Sequence, residues 1–230
     1  MPSYATRRSE LETYFDRTAS ATWARLTSDA PVSGIRATVR AGRDQVCEAL
    51  LSWLPEDMTG LRLLDAGCGT GALATLAAAR GAEVLAVDLS AKLVECARDR
   101  AAVSPGRQPQ FLVGDMLAPE HGEFDHLVAM DSLIHYEAAD IVAALAGAAP
   151  RIRRSMIFTV APRTHLLAAM HAVGRFFPRG DRAPAIEPLA EAKLRALVAA
   201  EPALAGFEPG RHHRVTTGFY MSHAFEWVRR

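Results

Sequence analysis

LRLLDAGCGTG, residues 61–71, is a short apolar run that enters a glycine turn and leaves as a helix. Glycine allows a tight turn and lets a ligand approach the backbone with no Cβ in the way. The alanine-rich stretch Gly71–Arg80 behind it reads as a helix, whose first N–H groups lack intrahelical acceptors. With Ala72 in third place, the glycines also satisfy the looser dinucleotide fingerprint G-x-G-x-x-A, so the loop alone leaves its ligand open.

Outward from the loop, strand and helix signals alternate. AEVLAVD (82–88) reads as a second strand, and Ser90 N-caps a helix to about Ala102. QFLVGD (110–115), FDHLVAMD (124–131) and IRRSMIFTVA (152–161) read as further strands, with a helix over Ala138–Ala149. This cadence predicts a parallel sheet covered by helices on both faces. Upstream, Leu11, Tyr14, Phe15 and Thr18 follow helical spacing, Pro31 and Gly34 break the chain, and a second helix runs from Ile35 to Leu54. Downstream, 164–177 reads as an apolar helix, 178–188 as a loop and Leu189–Ala200 as a helix. The last 24 residues read as a hairpin turning near Thr216–Gly218. The expected architecture is an α/β Rossmann-like sheet of seven mostly parallel strands ending in an antiparallel hairpin. The expected divisions are an N-terminal helical arm (1–45), a ligand-binding core (46–162), an inserted helical lid (163–187) and a C-terminal helix and hairpin (188–230).

Three acids narrow the ligand. Asp65 ends the first strand immediately before the glycines, where a diphosphate is unwelcome but an ammonium or sulfonium is tolerated. Asp88 ends the second strand, placed to accept from both hydroxyls of a ribose. Asp115, in Gly114–Asp115–Met116, ends the third, placed to accept from an adenine amine while Met116 flanks the ring. Other readings of each acid exist, as strand-end residues capping helices.

Composition sets bounds. Half of the 230 residues are apolar, enough for one substantial core. The 26 basic and 26 acidic residues balance, which gives no footprint for non-specific nucleic-acid binding. Residues 151–230 nevertheless hold 13 Arg/Lys against 6 Asp/Glu, a basic third suited to solvent, an anionic substrate or a membrane face. Cys47, Cys68 and Cys96 are scattered and read as reduced thiols. No apolar run reaches bilayer length, and a cytoplasmic protein with at most peripheral membrane contact is expected.

Over roughly residues 60–160 the chain resembles the class I S-adenosylmethionine-dependent methyltransferases, on LLDAGCGTGALA, VLAVDLS, FLVGDM and FDHLVAMDSLIHY. The resemblance implies S-adenosylmethionine as cofactor, S-adenosylhomocysteine as product, and a cofactor site of Asp65, Gly67, Gly69, Asp88, Leu89, Asp115, Met116 and Met130. A narrower resemblance runs along nearly the whole chain, through ETYFDRTASATWARL (12–26), GIRATVRAGRDQ (34–45), MDSLIHY (130–136), FTVAPRTHLL (158–167) and GRFFPRGDRAP (174–184). These segments are similar to the magnesium-protoporphyrin IX O-methyltransferases of chlorophyll and bacteriochlorophyll synthesis. That family esterifies the propionate on the third pyrrole-derived ring. The resemblance also implies delivery of the porphyrin by magnesium chelatase and a place at the photosynthetic membrane.

A carboxylate acceptor is already ionised and needs desolvation, in-line placement and an orienting donor rather than a strong base. His135 and Tyr14 are the residues expected to orient it. Tyr136, Arg163, Leu166, Met170, Phe176, Phe177 and Arg179 are expected to receive the porphyrin, the arginines pairing with propionates. Tyr14, Phe15 and Trp23 are expected to cover its other side. No resident metal is expected: the histidines at 212, 213 and 223 lack the acidic partner and ligand spacing of a catalytic site, the pair 212–213 alternates across a strand, and magnesium arrives only inside the substrate. Three other readings stay open: an O-methyltransferase for another acceptor such as a quinone-precursor phenol, an NAD-linked oxidoreductase, and a porphyrin carrier without turnover.

Overall fold

The computed structural model describes residues 4–28, 31–32, 34–103, 106–163 and 186–230. Seven strands form one sheet: β1 (Arg62–Ala66), β2 (Glu83–Asp88), β3 (Gln110–Val113), β4 (Phe124–Ala129), β5 (Ile152–Val160), β6 (Phe207–Thr217) and β7 (Tyr220–Arg229). Their spatial order is β3-β2-β1-β4-β5-β7-β6. The first five run parallel, and β7 runs antiparallel to both neighbours. The expected architecture is met in the sheet, the last hairpin and the arm; the expected lid helix falls outside the described residues. The order reverses between β1 and β4, which opens a crevice beyond their carboxyl ends.

The strands read as apolar runs because both faces are buried. Alternate residues feed two cores. Leu64, Leu85, Leu127, Phe158 and Phe225 point to one side, against α6 (Ala138–Ala148) and α7 (Glu191–Ala200). Leu63, Val84, Val128, Ile157 and Ala224 point to the other, against α3 (Gly34–Ser52), α4 (Ala72–Ala79) and α5 (Ala91–Ala102). Because α3 runs unbroken to Ser52, a border between arm and core at 45/46 falls inside a helix.

The arm comprises α1 (Tyr4–Tyr14), a π-helical turn (Phe15–Ala19) and α2 (Ser20–Leu26). It is tied to the core at several points. Arg8 pairs with Asp115 at 2.6 Å. Asp16 accepts from Ser90 Oγ and from the Lys92 N–H, which adds a carboxylate to the N-terminus of α5 and lowers its pKa. Thr27 accepts from Thr70 Oγ1 and from Arg100. Ser90 N-caps α5 as expected, accepting from the Leu93 N–H.

Residues 164–185 lie outside the description, but their two ends are held together. Pro162 bridges Leu189 as a strand pair, Arg163 N donates to Leu189 O at 3.1 Å, and Leu189 N donates to Ala161 O at 2.8 Å. Glu187 N donates to Ile134 O at 2.8 Å, one residue before His135. The inserted segment therefore leaves and re-enters the core beside the turn after β4.

Candidate active site

The loop after β1 takes its shape from glycine. Gly67 has φ +85°, and a Cβ there would stand 2.2 Å from Ser132 Cβ, so both the backbone angle and the space exclude a side chain. Its N–H and that of Cys68 donate to Val87 O, which ties the loop to the end of β2. Ser132 returns the contact by donating from Oγ to Ala66 O at 2.7 Å.

Around this loop lies a cavity of about 390 Å³ at the crevice between β1 and β4. All eight expected cofactor residues line it, drawn from the ends of four strands: Asp65, Gly67, Gly69, Asp88, Leu89, Asp115, Met116 and Met130. The arm closes it with Leu11, Phe15, Trp23 and Leu26.

The acids are not equivalent. Asp65 is buried, and its Oδ2 has no hydrogen-bond partner. Burial, then the neighbouring Asp88, push its pKa up to about 7. Asp88 accepts from Gly69 N at 2.8 Å on one oxygen and from Ser90 N at 2.9 Å on the other. Burial raises its pKa against those bonds. Each of its oxygens keeps a lone pair for the cavity. Asp115 accepts from Leu117 N and from Arg8, so its partner comes from the arm. Cys68, beside Asp65 and Asp88, is pushed well above its ordinary pKa by burial and both carboxylates, and stays a neutral thiol.

His135 and Tyr136 sit on the turn after β4 and line the cavity. The His135 ring meets Phe15 edge-on, with centroids 6.0 Å apart. Burial, then Asp115, push the Tyr136 hydroxyl up to about 12. Tyr14 stands elsewhere: its ring packs edge-on against Phe15 at 5.2 Å, and Phe15, not Tyr14, lines the cavity. Arg163 lines a separate small depression with Glu137, Glu187 and Lys193. Leu166, Met170, Phe176, Phe177 and Arg179 lie outside the described residues.

One cluster escapes the sequence reading. Asp131, directly after Met130, has φ +55° and is the one described non-glycine residue with a positive φ. Arg43 on α3 donates to its Oδ2 at 2.5 Å, and the Tyr220 hydroxyl on β7 lies 3.0 Å from both oxygens. Its backbone N–H donates to Thr159 Oγ1 at 2.8 Å. The Arg43 guanidinium stacks 4.8 Å from the Trp23 ring, which ties the arm into the same cluster. Gly42 makes room, since a Cβ there would come within 2.3 Å of Tyr220. Arg43 lies inside the quoted GIRATVRAGRDQ and Asp131 inside MDSLIHY, but nothing local in the sequence pairs them.

The C-terminal histidines also depart from expectation. His212 Nδ1 lies 3.4 Å from His223 Nε2, and Glu191 of α7 brings a carboxylate to the pair from another element, with Oε2 3.9 Å from His223 Nε2.

Residues 129–229 match the family model of the magnesium-protoporphyrin IX methyltransferase C-terminus, and residues 63–154 match a general methyltransferase domain. Over 229 residues, 99% of both chains, the sequence is 46% identical to the magnesium-protoporphyrin O-methyltransferase of Rhodobacter capsulatus. The chain belongs to the magnesium-protoporphyrin O-methyltransferase family. Its Synechocystis relative of that name is 32% identical over 94% of each chain. A crystal structure of magnesium protoporphyrin IX methyltransferase from Synechocystis with bound SAH superposes with a TM-score of 0.85, at 30% identity, over 97% of this chain and all of that one. A ubiquinone biosynthesis O-methyltransferase of Xanthomonas oryzae is also 30% identical, but over only 54% of this chain. A mycobacterial cyclopropane synthase, at 14% identity and a TM-score of 0.72, shares the fold alone.

Proposed function

We propose that this chain transfers the methyl group of S-adenosylmethionine to a propionate carboxylate of magnesium protoporphyrin IX, yielding the monomethyl ester and S-adenosylhomocysteine. The observation that carries this reading is the similarity along the whole chain, arm included, to curated enzymes of that name. A quinone-precursor phenol as acceptor finds similarity over about half the chain. The arm, whose side chains close the cavity, is where acceptor choice is expected to be written.

The residues present fit the cofactor. Asp65 offers a buried, unpartnered carboxylate oxygen beside the glycine loop, and Asp88 keeps acceptor capacity next to it. When bound, S-adenosylmethionine supplies a methyl group on a sulfonium, an electrophile that carries its own positive charge. Asp65 would hold the cationic end and Asp88 the ribose hydroxyls. Met116 and Leu89 would flank the adenine. Asp115 would accept from its amine with the oxygen capacity that Arg8 and Leu117 leave. The cavity lies near the low end of the roughly 300–1,000 Å³ usual for small-molecule sites. It suits one nucleoside-sized ligand, so only the propionate of the flat macrocycle would reach inside. His135 would orient one oxygen of that propionate. Tyr14 would act from behind Phe15, through the arm, rather than by facing the cavity. Arg163 and the inserted segment, whose ends meet beside Ile134, would take the macrocycle.

The porphyrin would be handed over by magnesium chelatase, and the basic C-terminal third would touch the photosynthetic membrane from the cytoplasmic side. Among the described residues no helix is long and apolar enough to cross a membrane.

Purified protein with methyl-labelled cofactor and magnesium protoporphyrin is expected to give a labelled, base-labile monoester. The rate should lack the steep rise with pH that deprotonation of a phenol imposes. Label in a phenol ether but none in the porphyrin would overturn the reading.

Asp65 adds a pH signature. Its folded-state pKa of about 7 lies above the usual carboxylate range. Below about pH 4 the group is protonated folded or unfolded and costs nothing. As pH rises from there to about 7 the unfolded chain ionises first, so stability falls, and the loss is complete above 7. A bound cation reverses this by favouring the carboxylate. Affinity for S-adenosylhomocysteine, through its ammonium, is expected to rise by up to roughly tenfold per pH unit below about 7 and then level off. Calorimetry at pH 6 in two buffers of different ionisation heat should count close to one proton released. Asp65→Asn should release none; equal release by the variant would remove Asp65 from this role.

A further inference from the structure

The histidine pair on the last hairpin is not used by the methyl-transfer site. His212 stands opposite Phe225 in the β6–β7 register, and His223 lies two residues from Phe225. Both histidines therefore project from the same face of the hairpin. A register shift between Pro209 and His212 sits immediately beside the pair. Such bulges often re-aim a side chain next to a site. Over the same face lies the first turn of α7, which begins at Glu191.

From this juxtaposition we infer that Glu191, His212 and His223 form a binding site for a zinc-class divalent cation, through Oε2, Nδ1 and Nε2. The three ligand atoms all lie within 4.8 Å of one another. The two nitrogens are 3.4 Å apart. Two ligands about 2.1 Å from a tetrahedral zinc stand roughly 3.4 Å from each other, so the pair already spans one edge of the coordination shell. Glu191 Oε2 is 3.9 Å from His223 Nε2 and within 4.8 Å of the His212 ligand atom, so the carboxylate has to move in toward the pair to share the ion. His212 and Glu191 are the more exposed members and have room to make that adjustment.

The surroundings fit a site with outer support. The His223 ring is buried and packs 4.1 Å from the Phe225 ring, which fixes its direction. Arg195 donates to Glu191 Oε1 at 2.8 Å, holding the carboxylate with Oε2 turned toward the histidines. Such outer-shell bonds orient ligands in known metal sites. Arg195 and Arg214 both bear on His223 electrostatically, and their charge weakens a dication's binding. Two histidines and one carboxylate suit zinc and leave a fourth position for water. None of the three residues lines the cofactor cavity. The site instead joins α7 to the hairpin, two residues after Leu189, where the chain returns from 164–185 and bridges Pro162. An ion here would brace the base of the segment expected to cover the substrate.

The test uses the full-length protein stripped with chelator and titrated separately with zinc and cobalt(II) chlorides. The expected result is one ion per chain, with the strong visible bands of tetrahedral cobalt and a zinc-dependent rise in melting temperature. His212→Ala and Glu191→Gln, both at surface-accessible positions, should each weaken zinc by at least about tenfold and remove the cobalt bands. An ion bound equally well by both variants, a thiolate-to-cobalt charge-transfer band, or a wild-type chain that takes up no zinc would overturn the inference.

Discussion

Asp88→Ala is expected to weaken S-adenosylhomocysteine binding by about a hundredfold to a thousandfold, while the protein melts within a few degrees of wild type. The residue ends β2 with one oxygen on Gly69 N and the other on Ser90 N, and it lines the cavity. A hydrogen bond to a charged acceptor contributes about 1.5–3 kcal/mol, and a ribose offers two hydroxyls. Two such bonds, discounted because they share one carboxylate, come to about 3–4 kcal/mol, at 1.4 kcal/mol for each factor of ten. The fold loses less. Gly69 N–H borders the cavity, where water replaces the lost acceptor, and Asp65 loses the like charge that raises its pKa; the buried Ser90 N–H is the one group left without its acceptor. That relief makes a second readout. In Asp88→Ala the proton released on binding at pH 6 should fall, because Asp65 already ionises more readily. Asp88→Asn, which keeps one acceptor oxygen, should lie between the two. Calorimetric titration decides it: unchanged affinity in Asp88→Ala would place the ribose elsewhere.

The cofactor half of the site was legible because it depends on strand ends. Asp65, Asp88 and Asp115 each close an apolar run, and a parallel sheet brings such ends to one edge, so reading the strands was reading the site. The arm was legible as helix, and Leu11 and Phe15, four residues apart on that period, both line the cavity. Tyr14, one position before Phe15, does not line it. The π turn over Phe15–Ala19 left no signal in the apolar spacing. Pairings between distant elements left no local trace. Arg43 and Asp131 are 88 residues apart in sequence, and Tyr220 lies 89 beyond Asp131. Glu191 was invisible as a partner of His212 and His223 for the same reason: α7 and the hairpin each read correctly as elements, but their docking is tertiary.

Asp131→Ala is expected to cost about 3–4 kcal/mol of stability, because it strikes both side chain and backbone. The Asp131 side chain is 7% exposed and that of Arg43 17%, so the pair is largely withdrawn from water. Removing one partner of a buried ion pair typically costs about 3–5 kcal/mol, since the remaining charge keeps its desolvation penalty. Here the upper end is softened by Trp23, whose ring face still meets the guanidinium at 4.8 Å. The Tyr220 hydroxyl, whose pKa is raised by burial and by Asp131, loses its acceptor as well. At φ +55° alanine also carries strain that aspartate and asparagine tolerate better, about 1 kcal/mol. The melting temperature should drop by roughly 10 °C, at about 2–4 °C per kcal/mol for a chain of this size. Three companions separate the causes. Asp131→Asn keeps the backbone preference and a neutral acceptor, so it should recover about half the loss. Asp131→Gly relieves the strain but not the charge, so it should improve only slightly on alanine. Arg43→Met combined with Asp131→Asn removes the stranded charge and should be more stable than the sum of the single changes. Cofactor affinity should fall along with stability in the alanine variant. Asp131 lies between Met130, which lines the cavity, and Ser132, whose Cβ occupies the space that Gly67 leaves. A melting temperature within 2 °C of wild type, by scanning calorimetry at pH 7, would mean that Arg43 finds another partner and that the turn after β4 does not depend on this carboxylate.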